Sequence, residues 1–520
     1  MTKKNLSIVI ILLFLIAGCW DSGGSGGNSN DSTASADDAG GSGESGQSAD
    51  LNQVSNAEWE DLSSEEQYAV SNKLLGTLYK GLAAEEFFDF TPGDDSPSAK
   101  SNLNYLAEIK SKLSTPVDDI DTYFAAIDEK YSFDSRQQPI QYPLAMLHEF
   151  PPSEDLFNMW MAYVLSNTIL FSPAVELETV DYTDVQDVFY RLLNMISEDR
   201  SVGDIVYEHM ISQENWRRFR SPEDNTREMM EIFLGHFNDE DVPLAAKACK
   251  NWSLTEDSDG YQLVIGFDEN TEPVQLLGAT VVDCYDFYET VANHDSLVPN
   301  VTLILVNIFF STYSGAQQAD IVDQIVASNP RTFRELFSII IFSKEYLFYV
   351  ERPKILEETF FNVANRIKWY AYSNFFKYLN NQWTGSTFPS LKNMRQAALT
   401  YKLGKPREVP LDTLSFSYYH KAVREKLLID RKSNPTNTND GGWQIEFVEV
   451  DLMGNDFINY LFLSVVSRPA TQEELDELNT IIASRGYDKE GKEQHKAMIV
   501  LDYLSRLPEL YYTTSINLGE

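Results

Sequence analysis

Six histidines, His148, His209, His236, His294, His420 and His495, are the first residues to ask for chemistry. None stands in H-E-x-x-H, and none has a glutamate three positions before it as in the E-x-x-H of di-iron bundles. The sequence therefore predicts no metal site and no cofactor. Asp257-Ser258-Asp259-Gly260 resembles part of a calcium loop, but Thr255 stands two residues before Asp257 and no glutamate closes the loop, so these residues read as a turn. Carboxylates are abundant enough that pairing any two as acid and base is arbitrary. Glu228, Glu231 and His236 are the least arbitrary set, because they fall close together on one helical stretch. For His209 and His236 the competing reading is a core or capping histidine. Arg217, Arg218 and Arg220, with Trp216 and Phe219 between them, crowd the start of that stretch and could fork onto a carboxylate or phosphate; internal pairing with Glu223 and Asp224 is the alternative.

The element that must position these residues has a definite start. Ser221 suits an N-cap, Pro222 the first helical position, and Asp224 a Ser-x-x-Asp capping box. Met229, Ile232, Phe233 and His236 then fall on one face, and Glu223, Arg227 and Glu231 follow at spacings of four on another.

A second cluster is defined by charge. Arg352 to Lys432 holds fifteen Lys and Arg against six Asp and Glu in a chain of formal charge -38, and it carries many aromatic rings from Phe360 to Trp383. One reading makes Lys368, Lys377, Lys392, Arg395 and Lys402 a docking surface for an acidic protein, an anionic polymer or phospholipid headgroups. The other sets this positive charge against the acidic remainder of the molecule. The overall acidity excludes nucleic acid as a general partner.

Around these clusters the chain reads as mainly α: a multi-helix globular body with small β-hairpin insertions, preceded by a disordered tether. Apolar residues recur at helical spacing in Val70, Leu74, Leu75 and Leu78, in Val185, Val188, Phe189, Leu192 and Leu193, and in Val301, Leu305, Ile308 and Phe309. Strand-like alternation is confined to Tyr261–Phe267 and Trp443–Val450. Thr471-Gln472-Glu473-Glu474 is a capping box opening a helix through Leu475, Leu478 and Ile482, with another helix predicted from Glu493 to Leu507. The division expected is 51–180 helical, 181–348 central helical, 349–434 basic and aromatic, and 435–520 hairpin and helices.

The amino-terminal stretch carries a different signal. Lys3-Lys4, an apolar run from Leu6 to Ile16 and then Ile16-Ala17-Gly18-Cys19 are too short to span a bilayer and describe a signal of residues 1–18 cut before Cys19. This resembles the lipobox of bacterial lipoproteins. The resemblance implies acyl chains on Cys19 and attachment to a membrane of the bacterial cell envelope, the outer membrane by expectation. Removing Lys3 and Lys4 with the signal takes the formal charge from -38 to -40. Beyond Cys19, within the 19–50 linker, Asp21 to Asp50 is mostly Gly, Ser, Asp, Asn and Ala with no aromatic or large aliphatic residue, as expected of a disordered tether. Only Cys249 and Cys284 remain beyond the anchor, free to form one disulfide or to stay as two buried thiols.

Asn225-Thr226-Arg227-Glu228-Met229-Met230-Glu231-Ile232-Phe233 is similar to the N-x-A-R-E-L-L-E-L helix of the bacterial domain of unknown function 1800, and Ala246–Trp252 to its A-R-A-L-T-G-W segment. Val291-Ala292-Asn293-His294 with the following helix, and Phe333–Leu347, resemble later parts of that family. The resemblance covers about Asp181 to Phe348. Asn251 replaces a glycine, and Phe267-Asp268-Glu269-Asn270 lacks the His-Asp pair common there. The family resemblance implies an exported partner and names no reaction. Together these readings give a lipid-anchored exported protein that binds or scaffolds in an envelope assembly; the alternative is an envelope enzyme acting on a polymer.

Overall fold

Short polar residues start most of the helices. Ser63, Ser201, Ser314, Thr332 and Thr471 each accept the backbone N–H three residues on, while Glu66, Asp204, Gln317, Glu335 and Glu474 reach back to close the box. These pairings lie entirely within four consecutive residues. The computed structural model describes residues 48–90, 97–100, 104–131, 142–170, 183–258, 260–369, 420, 423–429, 452 and 454–516. Cys19, the 19–47 linker, the 443–450 alternation, Lys377, Lys392, Arg395 and Lys402 lie outside them.

The fold is mainly α, with helix packed on helix. The Glu154–Ser166 helix is buried continuously from Leu156 to Ser166 and packs against Tyr142–Glu149, Thr183–Ser197 and Phe333–Ile341. Trp160 stands at its centre, with its ring 5.0 Å from Phe337 and 6.1 Å from Phe309. The Ser64–Thr77 helix packs on Leu356–Arg366, which in turn meets Gly454–Val466. One contiguous core thus runs across the regional divisions of the sequence. The apolar stripes are where periodicity puts them: Val70, Leu74, Leu75 and Leu78, Val188, Phe189, Leu192 and Leu193, and Val301, Leu305, Ile308 and Phe309 are all buried.

Strands among the described residues form three antiparallel pairs, Phe88–Asp89 with Ser98–Ala99, Trp252–Asp257 with Gly260–Ile265, and Val274–Leu276 with Ala279–Val281. The second pair corrects the expected Tyr261–Phe267 strand. Its strand ends at Ile265, with one further in-register bond from the Gly266 N–H to the Asn251 carbonyl at 2.7 Å, and Phe267 beyond it is fully exposed. Asp257 pairs with Gly260 across the tip, so this acidic stretch makes a hairpin turn.

Cys249 and Cys284 are joined in a buried disulfide, which settles the alternative the sequence left open. Cys249 ends the Asp241–Ala248 helix and Cys284 starts the Cys284–Ala292 helix, so the bond closes the base of the segment that carries the second and third hairpins. Replacing both cysteines by alanine is expected to lower stability by about 2 to 4 kcal/mol through the freedom regained by the unfolded loop. A denaturant titration that leaves the midpoint where it was would show the crosslink to be dispensable. Among the described residues no helix is long and apolar enough to cross a membrane.

Candidate functional site

The helix from Pro222 to Leu234 begins at Ser221 as expected, but its capping box is only half formed. Ser221 accepts the Asp224 N–H at 3.2 Å, whereas the Asp224 carboxylate is taken by Arg227 at 3.0 Å. Gly235 ends the helix with φ 76°, and a Cβ there would stand 2.5 Å from Asn300 Oδ1. That side chain holds the Ile232 carbonyl through Nδ2 at 2.8 Å. The left-handed stop takes His236 off the face it was expected to share with Met229, Ile232 and Phe233. The imidazole is exposed and its Nδ1 lies 2.9 Å from the Leu234 carbonyl.

Glu228 is half-buried beside Arg227, 3.0 Å away, and burial holds its carboxyl above the ordinary range; Glu231 is exposed. Glu228 and His236 are thus engaged by their own neighbours, while Glu231 faces solvent. Of the arginines, Arg217 is buried in an ion pair with Asp184 and donates through Nε to the Tyr261 carbonyl at 2.6 Å. These contacts tie the Gln213–Arg218 helix to the hairpin and occupy the guanidinium within the fold. Arg218 is half-buried over the Phe219 ring, and Arg220 is exposed. Lys368 pairs with Glu85 at 3.2 Å.

The chemistry gathers elsewhere. The chain from Val350 to Lys354 runs antiparallel to the C-terminal segment: Thr513 N–H donates to the Arg352 carbonyl, Arg352 N–H to Thr513 Oγ1, and Lys354 N–H to the Tyr511 carbonyl, at 2.8 to 2.9 Å. This ribbon closes one side of a cavity of about 40 Å³ whose other walls are the Ser64–Thr77 and Leu356–Arg366 helices and Val466–Ser467. Lys73 and Lys354 reach into it. Lys73 Nζ donates to the Val350 and Thr514 carbonyls at 2.6 and 3.1 Å, and Lys354 Nζ to those of Glu509 and Leu510 at 2.8 and 3.5 Å. Burial holds the Lys73 ammonium well below the usual lysine range and pushes Lys354 down to about 7.

Beside it lies a second cavity of about 30 Å³, lined by Trp160, Tyr163, Phe309 and Arg352. Thr77 and Glu358 line both. Arg352 and Glu358 form a buried two-pronged ion pair, one prong 2.8 Å long, and Arg352 also donates to Tyr346 Oη at 2.9 Å. Each cavity has space for about two to four waters, at roughly 10 to 15 Å³ for each, and far too little for a sugar ring. Among the described residues no group of three His, Cys, Asp or Glu side chains could hold a metal ion.

Sequence reading missed both lysines. Lys73 carried a signal: it sits three residues after Val70 and four before Thr77, inside an apolar stripe where a lysine is out of place. Lys354 carried none, since only the fold brings it to Lys73. Comparison with known proteins finds no matching family model, no matching curated protein and no matching solved structure.

Proposed function

We propose that this chain is a lipid-anchored exported protein that acts as a binding or scaffolding component of a bacterial envelope assembly. The observation that carries the reading is the Lys3-Lys4, apolar run and Ile16-Ala17-Gly18-Cys19 sequence, whose sole nearby thiol stands where a lipoprotein is acylated. The Cys249–Cys284 disulfide supports export, because such bonds persist in oxidising compartments and are rare where thiols are kept reduced. The partners in this reading are the membrane, through Cys19, and an exported protein. Support for a binding role over an enzyme comes from two of the three suspected acid and base groups, Glu228 and His236, which are engaged by Arg227 and by the Leu234 carbonyl.

Cys19→Ser is expected to abolish acylation and release the protein from the membrane fraction. Metabolic labelling with a fatty-acid probe decides it. Label retained by the serine variant would remove the anchor, and with it the envelope placement.

A further inference from the structure

We propose that the cavity holding Lys73 and Lys354 is a binding site for a small oxyanion, a carboxylate or a phosphate group. The geometry points to this through unequal pairing of its charges. Two carboxylate-bearing residues line the cavity, and arginines hold both: Glu358 is gripped by Arg352, and Glu509 accepts from Arg468 Nε at 2.9 Å. Its two ammonium groups have no such partner. Among the described residues no carboxylate lies within ion-pair distance of Lys73 or Lys354; each directs two N–H bonds to backbone carbonyls, and in the protonated form that an anion would favour each keeps one further donor.

A third donor stands on the same wall. Asn72 is 3 % exposed, its Oδ1 is fixed by the Leu82 N–H at 2.8 Å, and its Nδ2 has no hydrogen-bond partner. An unmet buried donor is unfavourable, and a buried ammonium without a counter-ion is more so, which is why burial lowers both lysines in the absence of an anion. An anion in the cavity would give both lysines a counter-charge through charge-assisted hydrogen bonds, which are the stronger kind. Other polar groups in the wall are already engaged: Thr77 Oγ1 with the Lys73 carbonyl and Tyr346, Asn362 Nδ2 with the Asn72 and Lys80 carbonyls, and Ser467 Oγ with Arg366. At about 40 Å³ the space suits one carboxylate or phosphate head. Thr514, on the rim, is exposed, so the head could belong to a free ion or to a longer molecule that extends outward.

The proposal does not depend on lipid anchorage, so its failure would leave the reading of Cys19 untouched. The test uses the full detergent-solubilised chain, titrated with sodium phosphate and separately with sodium acetate, with sodium chloride holding ionic strength constant. Saturable calorimetric binding of at least one probe is expected, weakened at least tenfold in Lys354→Gln and Lys73→Gln, with the circular dichroism unchanged. Because both lysines also hold backbone carbonyls, a variant-free measurement accompanies it. Trace acylation of the wild-type protein with acetic anhydride, read by mass spectrometry, should show Lys73 and Lys354 protected severalfold by the bound probe while exposed lysines such as Lys368 are not. Phosphate alone would assign the site to phosphate groups, acetate alone to carboxylates, and both to oxyanions in general. No saturable binding of either, binding that chloride reproduces, or acylation of the two lysines that neither probe alters would overturn the proposal.

Discussion

Glu358→Ala is expected to lower the free energy of unfolding by about 3 to 5 kcal/mol, because it leaves the Arg352 guanidinium without its counter-charge where that residue is only 3 % exposed. Arg352 retains donors to Tyr346 Oη and the Pro353 carbonyl, and it lies 5.6 Å from the Phe309 ring centroid; none of these neutralises a buried cation. The same carboxylate accepts the Ile355 N–H at 3.0 Å, so the start of the Leu356–Arg366 helix loosens as well. Replacing both partners, Arg352→Met with Glu358→Leu, should restore most of the loss, since a buried pair exchanged for apolar groups of similar volume is close to neutral. Denaturant titration of the three variants measures this. A double variant as unstable as Glu358→Ala would mean that the pair contributes through its detailed shape and that stranded charge is not the cause.

The contrast between that pair and the helix caps explains what the sequence made legible. Thr471 and Glu474 lie three residues apart and form their box wherever the helix starts, so local spacing suffices. The apolar stripe of Leu74, Leu75 and Leu78 is equally local. Thr77 meets Tyr346 across 269 residues, at 2.6 Å, and Tyr460 meets Glu85 across 375, also at 2.6 Å; no window of sequence contains such partners. The cavity between Lys73 and Lys354 belongs to this second kind. Only the meeting of two distant segments places Lys354 beside Lys73 and Asn72.

The basic segment illustrates the same limit from the other side. Counting charge from Arg352 to Lys432 leaves an outward surface and pairing with the acidic remainder both open, because a count is blind to what each cation faces. In the described part, Arg352 is matched by Glu358, Lys368 by Glu85 and Arg424 by Asp502, while Arg366 donates to the Val465 carbonyl at 2.7 Å. Two of the three carboxylates, and the Val465 carbonyl, come from outside the segment, as expected where a positive stretch folds against an acidic remainder. His236 failed for a different reason. Periodicity extends a helix until something stops it, and Gly235, with its left-handed backbone beside Asn300, is that stop.

Phe233→Ala should cost about 3 to 5 kcal/mol, and Arg227→Ala about 0 to 1, although the two residues share one helix. Phe233 is wholly buried on the face that also buries Met229, Met230 and Ile232, and its ring centroid lies 6.3 Å from that of His209, so alanine opens a cavity that close-packed neighbours fill only in part. The Arg227 side chain is 45 % exposed and pairs with Asp224 and Glu228 at 3.0 Å each, contacts that solvent weakens and that water replaces at little cost. Denaturant midpoints of the two variants, taken with an unchanged dependence on denaturant, separate the cases. Similar small losses at both positions would turn the buried face away from Phe233 and undo the packing of Pro222–Leu234 on the Leu297–Phe309 helix. A large loss at Arg227 would instead make the exposed ion pairs, rather than the apolar stripe, the source of this helix's stability.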